Sequence, residues 1–158
     1  MSPPNDEKLD TRPPQPREER PMANAGNQID IALTATRSGN TITISGNGAA
    51  NLPANSGACR FVFTLTDNTG QNVQFSSLDA ADNSTACPPP SGENSQQITG
   101  VTITPNASPP TASFTDNNSN NAASGPMSVS YQWNFTCNPP CTVSPFDPII
   151  TNGGKSGV

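Results

Sequence analysis

Residues 127–141 read MSVSYQWNFTCNPPC. Met127, Val129, Tyr131, Trp133, Phe135 and Cys137 fall on every second position, with Ser128, Ser130, Gln132, Asn134 and Thr136 between them. Side chains alternate faces along a strand, so the pattern predicts a long, half-buried β-strand with its apolar set inward. It carries the only Trp and the only Tyr of the chain. Asn138-Pro139-Pro140 ends it, because proline has no N–H to give to a ladder. Trp133 shares the phase of Val129, Tyr131 and Phe135, which places it in the core rather than on an exposed platform for a sugar ring.

Upstream, the same alternation recurs in shorter pieces. Residues 28–36 put Ile29, Ile31, Leu33 and Ala35 on one face, and Ser38-Gly39-Asn40 supplies the turn into 41–45, where Ile42 and Ile44 alternate. Cys59, Phe61, Phe63 and Leu65 form the inward face of 59–66. The turn Asp67-Asn68-Thr69-Gly70 then predicts a second hairpin with 71–78, where Val73 and Phe75 are buried. Residues 79–94 read as a polar loop. In 97–104 the apolar set Ile98, Val101 and Ile103 changes face near Gly100, the mark of a bulge. Ala112 and Phe114 point inward from 111–115, 116–126 is a loop, and 148–152 offers a last edge strand.

These seven or eight strands predict an all-β domain over residues 27–152. Its expected form is two antiparallel sheets packed face to face in an immunoglobulin-like sandwich, followed by a flexible tail at 153–158. Residues 1–26 differ in kind. They hold nine charged side chains and six prolines, with Leu9 as the single large aliphatic. Such a segment buries too little apolar area to offset its ordering entropy. It is read as an extended arm, either a solvated tail with Met22 as an alternative start, or a strap that docks on a neighbouring subunit with Leu9 as its apolar anchor.

Composition narrows the function classes. The chain has 158 residues, 31% hydrophobic, with 19 Asn, 17 Ser and 17 Thr and a net charge of −5. Beyond the arm only Arg37, Arg60 and Lys155 are basic, which argues against nucleic acid and against a membrane surface. No run approaches the ~18 apolar residues of a spanning helix. No secretory signal is read at the N-terminus, although a polar, weakly charged β-surface favours an extracellular or surface setting. Histidine is absent, which excludes Ser-His-Asp and Cys-His catalysis and any His-ligated metal.

Four cysteines allow three pairings. Cys137 and Cys141 bracket a turn-former, so a local bridge is expected there and Cys59 then takes Cys87, closing a loop of about 28 residues worth about 3 to 4 kcal/mol. The rival pairing is Cys59 with Cys137. The spacing lacks the knuckles of a thiolate zinc site. Asp67, Asp79, Asp82 and Asp116 sit in loops where calcium could bind, but none has the spacing of a recognised calcium loop, and turn capping is the plainer role. No catalytic, cofactor or metal residue is assigned.

The strand Tyr131-Gln-Trp133-Asn-Phe135, followed by Phe146-Asp147-Pro148-Ile149-Ile150-Thr151-Asn152, resembles the C-terminal end of small bacterial β-sandwich proteins of the DP-EP type. The resemblance implies a sandwich fold and a bacterial origin, and implies no activity. The Cys-Asn-Pro-Pro-Cys insert and the charged arm depart from that pattern. The expected role is a non-catalytic structural or interaction module: a subunit of a surface, appendage or virion assembly whose partners are other copies or other proteins. The alternative is a carbohydrate- or calcium-binding module, with a glycan as ligand.

Overall fold

The alternation at the C-terminal end of the chain becomes the spine of a five-stranded sheet, in a computed structural model that describes residues 27–157. In chain order the strands are β1 Gln28–Ser38, β2 Thr41–Ser45, β3 Ala50–Leu52, β4 Cys59–Asp67, β5 Gln74–Asp82, β6 Glu93–Asn94, β7 Ile98–Thr104, β8 Thr111–Asp116, β9 Met127–Thr136, β10 Thr142–Val143 and β11 Ile149–Asn152. One turn of 3₁₀ helix, Ala122–Ser124, precedes β9. The six-stranded sheet has the order β10-β2-β1-β4-β8-β7, and the five-stranded sheet the order β3-β11-β9-β5-β6.

The all-β class holds, but the sheets are mixed rather than antiparallel. β1 with β4, β2 with β10, β3 with β11 and β5 with β6 all run parallel. Among the described residues eleven strands replace the expected seven or eight, because β3, β6 and β10 are two- or three-residue pairings too short to show a period. The β1–β2 hairpin forms with Ser38 opposite Thr41, as its turn chemistry requires. The bulge at Gly100 appears as a register shift between Thr99 and Thr102, with Gly100 at φ 66°.

The second expected hairpin does not form. β4 and β5 lie in different sheets, β4 between β1 and β8 and β5 beside β9. Asp67 explains the change of sheet. Its Oδ1 accepts from Thr69 N at 2.9 Å and its Oδ2 from Val73 N at 2.9 Å, which winds 67–73 into a wide loop. Donors drawn to this carboxylate hold it below the ordinary aspartate value of 3.8. β5 also runs later than expected, reaching Asp82.

The core lies between the sheets. Phe63 of β4 meets Trp133 of β9 edge-on at 5.5 Å and Tyr131 at 5.9 Å, while Phe75 of β5 meets Trp133 at 5.2 Å. Phe114 adds contacts to Phe61, Phe63 and Tyr131 at 5.2, 5.4 and 5.0 Å. Such offset and edge-to-face pairs are the favoured aromatic geometry. Trp133 and Tyr131 are fully buried, while Phe135, expected inside, is only half-buried near the end of its strand.

β9 is buried on both faces rather than one: Ser130 and Gln132 are also inside. The loop after β5 accounts for Ser130. Ser84 N donates to Ser128 O at 3.0 Å, Ser130 Oγ donates to Ser84 Oγ at 2.9 Å, and Cys87 Sγ reaches Asp147 O at 3.3 Å. The segment thus crosses the outside of the sheet. Residues 153–156, expected as a flexible tail, are tied down. Gly153 N donates to Leu52 O at 2.7 Å, and Ser156 N donates to Asn55 Oδ1 at 2.7 Å.

Candidate functional site

β8 places Ala112, Phe114 and Asp116 on its inward face, so a carboxylate continues a core-facing series. Asp116 Oδ1 accepts from Asn118 N at 2.9 Å and from Asn152 Nδ2 at 2.7 Å. Asn118 sits at φ 47°, a left-handed position that Asn tolerates, and this turns its side chain inward. Its Nδ2 donates to Pro53 O and Ser56 Oγ, both at 3.1 Å, while Gly154 N donates to its Oδ1 at 2.8 Å. Asn120 Nδ2 donates to Asn152 O at 3.3 Å, and Asn27 Nδ2 donates to Ser56 O at 2.8 Å.

Loop 116–121, loop 53–58 and segment 152–156 therefore meet in one buried polar knot where the ends of the two sheets come together. The knot is short of donors. Asp116 Oδ2, Asn152 Oδ1, Asn120 Oδ1 and Asn27 Oδ1 are buried without a hydrogen-bond partner. Burial pushes the Asp116 carboxyl up to about 6; donors from Asn118 and Asn152 oppose the shift, and the Asp82 carboxylate adds to it. Sequence reasoning placed Asp116 in a turn and missed the knot. The signal was its parity with Phe114.

Of the other carboxylates expected in loops, only Asp67 winds a local turn; Asp79 and Asp82 lie on β5 and tie it to neighbouring segments instead. Asp79 accepts from Gly92 N at 2.7 Å and Asn134 Nδ2 at 3.0 Å, and Asp82 from Gln96 N at 2.8 Å and from Ser95 Oγ. Among the described residues no three acidic or thiol side chains converge on a metal position.

Cys137 and Cys141 lie at bonding distance, with Cα atoms 6.5 Å apart. The expected Cys59–Cys87 bridge is not formed: both are free thiols, Cys59 buried and Cys87 exposed. They cannot meet, because Cys59 starts β4 within the core of one sheet while Cys87 rides the outer face of the other. Burial, with the Asp116 charge beside it, raises the Cys59 thiol to about 12, so it is an inert core group. Leu9, the expected assembly anchor, lies outside the described residues.

A shallow groove of about 310 Å³ opens between residues 46–49 and 145–148. Beneath it Tyr131 Oη donates to Gly48 O at 2.8 Å. Asp147 is its only charged lining residue. With Trp133 and Tyr131 buried, neither offers a sugar platform here. No family model and no curated protein matches the chain.

Proposed function

We propose that the domain is a non-catalytic structural or interaction module, a subunit of a surface, appendage or virion assembly built on an immunoglobulin-like sandwich. The observation that carries this is the outer face of the six-stranded sheet. Hydroxyl side chains line up across it: Thr34 pairs with Ser45 and Thr66, Thr64 with Thr111, and Thr111 with Thr104. Ser113 pairs with Thr102 and Thr115 with Thr99. Threonine suits exposed strands on propensity alone. In a chain of net charge −5, however, this face carries one exposed acid, Asp30, and one exposed base, Arg60, and so no net charge. That lets acidic copies approach along this sheet with little repulsion.

The Cys137–Cys141 pair suits an oxidising, extracellular compartment, and the resemblance to DP-EP-type sandwiches supports a bacterial source. The arm at 1–26 is assigned to the same role, as an extended strap onto a neighbour with Leu9 as anchor. The test is light scattering on the full chain beside a version starting at Met22. A molar mass that rises with concentration, and rises less without the arm, supports assembly; a monomer at every concentration for both refutes it.

A further inference from the structure

We propose that the free edge of β7 is where two copies of this chain pair, strand against strand and antiparallel about a two-fold axis. The inference rests on the assembly role above and names its contact. Four strands end the two sheets: β10 and β7 in one, β3 and β6 in the other. β10 and β6 span two residues and β3 three, too short to template a partner strand. β7 spans seven residues, and β8 is its only ladder partner among the described residues. Its outer side therefore presents unpaired N–H and C=O groups, the feature that edge strands must normally protect.

Most of the usual protections are missing. Between Glu93 and Asp116 there is no charged residue at all, so β7, the turn after it and β8 as far as Thr115 carry no charge of their own in an acidic molecule. Asp116 is turned into the core at the far end of β8, and Arg60 of β4 reaches Ser113. Proline enters only at Pro105, after the strand. Val101 and Ile103 are half-buried against the core, and their flanks would be covered by the same residues of the second copy. Thr102 and Thr104 are exposed on the hydroxyl face. An antiparallel two-fold places identical neutral groups opposite one another, which costs no like-charge repulsion.

One protection remains, the bulge at Gly100, whose carbonyl accepts from Thr102 Oγ1 at 3.2 Å. It confines the straight ladder to Val101–Thr104. An edge contact of that length buries less than the ~1,200 Å² of a standard stable interface. The dimer is accordingly concentration-dependent, and salt strengthens it by screening the net negative charge.

The experiment is sedimentation velocity on the full chain over a wide concentration range. It is run beside Thr102→Lys and Thr104→Lys, with Thr43→Lys on β2 as a control on the same face. Each variant places an exposed lysine without touching the core, and circular dichroism confirms that each folds. The wild-type chain and Thr43→Lys are expected to associate alike, and the β7 variants to associate about tenfold more weakly, the effect of ~1.4 kcal/mol. Amides of Val101 to Thr104 should exchange more slowly as wild-type concentration rises. Association unaffected by either β7 lysine overturns the edge inference while leaving the assembly role standing. β7 amides that point away from β8 and are already protected in a monomer also overturn it, because another part of the same chain then covers the edge. A wild-type chain monomeric at every concentration overturns both.

Discussion

Asn152 Nδ2 donates to Asp116 Oδ1 at 2.7 Å, and the two fully buried residues end strands of different sheets. The bond clasps β11 of one sheet to β8 of the other. It also leaves Asp116 Oδ2 and Asn152 Oδ1 buried without donors. A proton on Asp116 converts one acceptor of this knot into a donor, so the clasp is better made when the carboxyl is neutral.

That fixes the sign of a pH dependence. The folded chain holds the Asp116 proton up to about pH 6, whereas the unfolded chain releases it near 3.8. Stability from this group is greatest below 3.8, falls as pH rises toward 6 and is flat above, a total loss on the order of 3 kcal/mol. Urea unfolding at pH 4.5, 5.5 and 7 reads it. Asp116→Asn should remove the slope and be no less stable than wild type at pH 7. A retained slope in that variant would assign the effect to another group.

Phe63 is fully buried and its ring touches Phe114, Tyr131 and Trp133. Phe63→Ala should cost about 3 to 5 kcal/mol, since the cavity adds to the lost transfer energy. Half-buried Phe135 should cost clearly less on the same change. Chemical denaturation of both variants checks the ranking, and equal losses would contradict the depth assigned to each ring.

Gly48 has no room for a methyl group. A Cβ there would collide with Tyr131 Oη and lie 2.7 Å from the Phe146 ring. Gly48→Ala should break the Tyr131–Gly48 hydrogen bond and cost about 2 kcal/mol or more. A lowered melting temperature with an altered near-ultraviolet tyrosine signal is the expected readout. An unchanged melt would mean that the 46–49 loop shifts freely.

Thiol chemistry should sort the four cysteines. A native sample should alkylate at Cys87 alone, and a denatured one at Cys59 as well, with Cys137 and Cys141 recovered as one linked peptide. Cys87 should react more slowly than a free peptide thiol, because partial desolvation and Asp147 raise its pKa. Recovery of a Cys59–Cys137 peptide would contradict the strand positions.

The strands were legible because alternation is a local signal. β9, the β1–β2 hairpin and the Gly100 bulge each follow from residues a few positions apart. What alternation cannot encode is the neighbour. Phe61, Phe63 and Leu65 would alternate identically in a hairpin with 71–78 or in the sheet opposite it, and only the Asp67 loop decides. Parallel pairs such as Ile31 with Phe63 leave no turn signal for the same reason. Cys59 and Cys87 were paired only as the two left over from the local Cys137–Cys141 bridge, which says nothing about which side of a sheet each occupies. The Asp116 knot was hidden because its members, Asn27, Asn118, Asn120 and Asn152, look like ordinary loop residues in a chain with 19 asparagines.

The parallel pairing of β3 with β11 joins Ala50 to Ile150, residues a hundred positions apart. Loop-closure entropy must be met before such a contact gives anything back, and all-β topologies dominated by distant pairings fold on a millisecond-to-second scale. During synthesis, β3 and the 53–58 loop emerge long before the strand and tail that seal them. A nascent chain made only as far as residue 148 holds every buried aromatic but has nothing to close over Leu52, so its apolar interior stays accessible until β11 has been made. Time of completion, as much as strength of packing, governs how long this chain is exposed to proteases and to premature self-association.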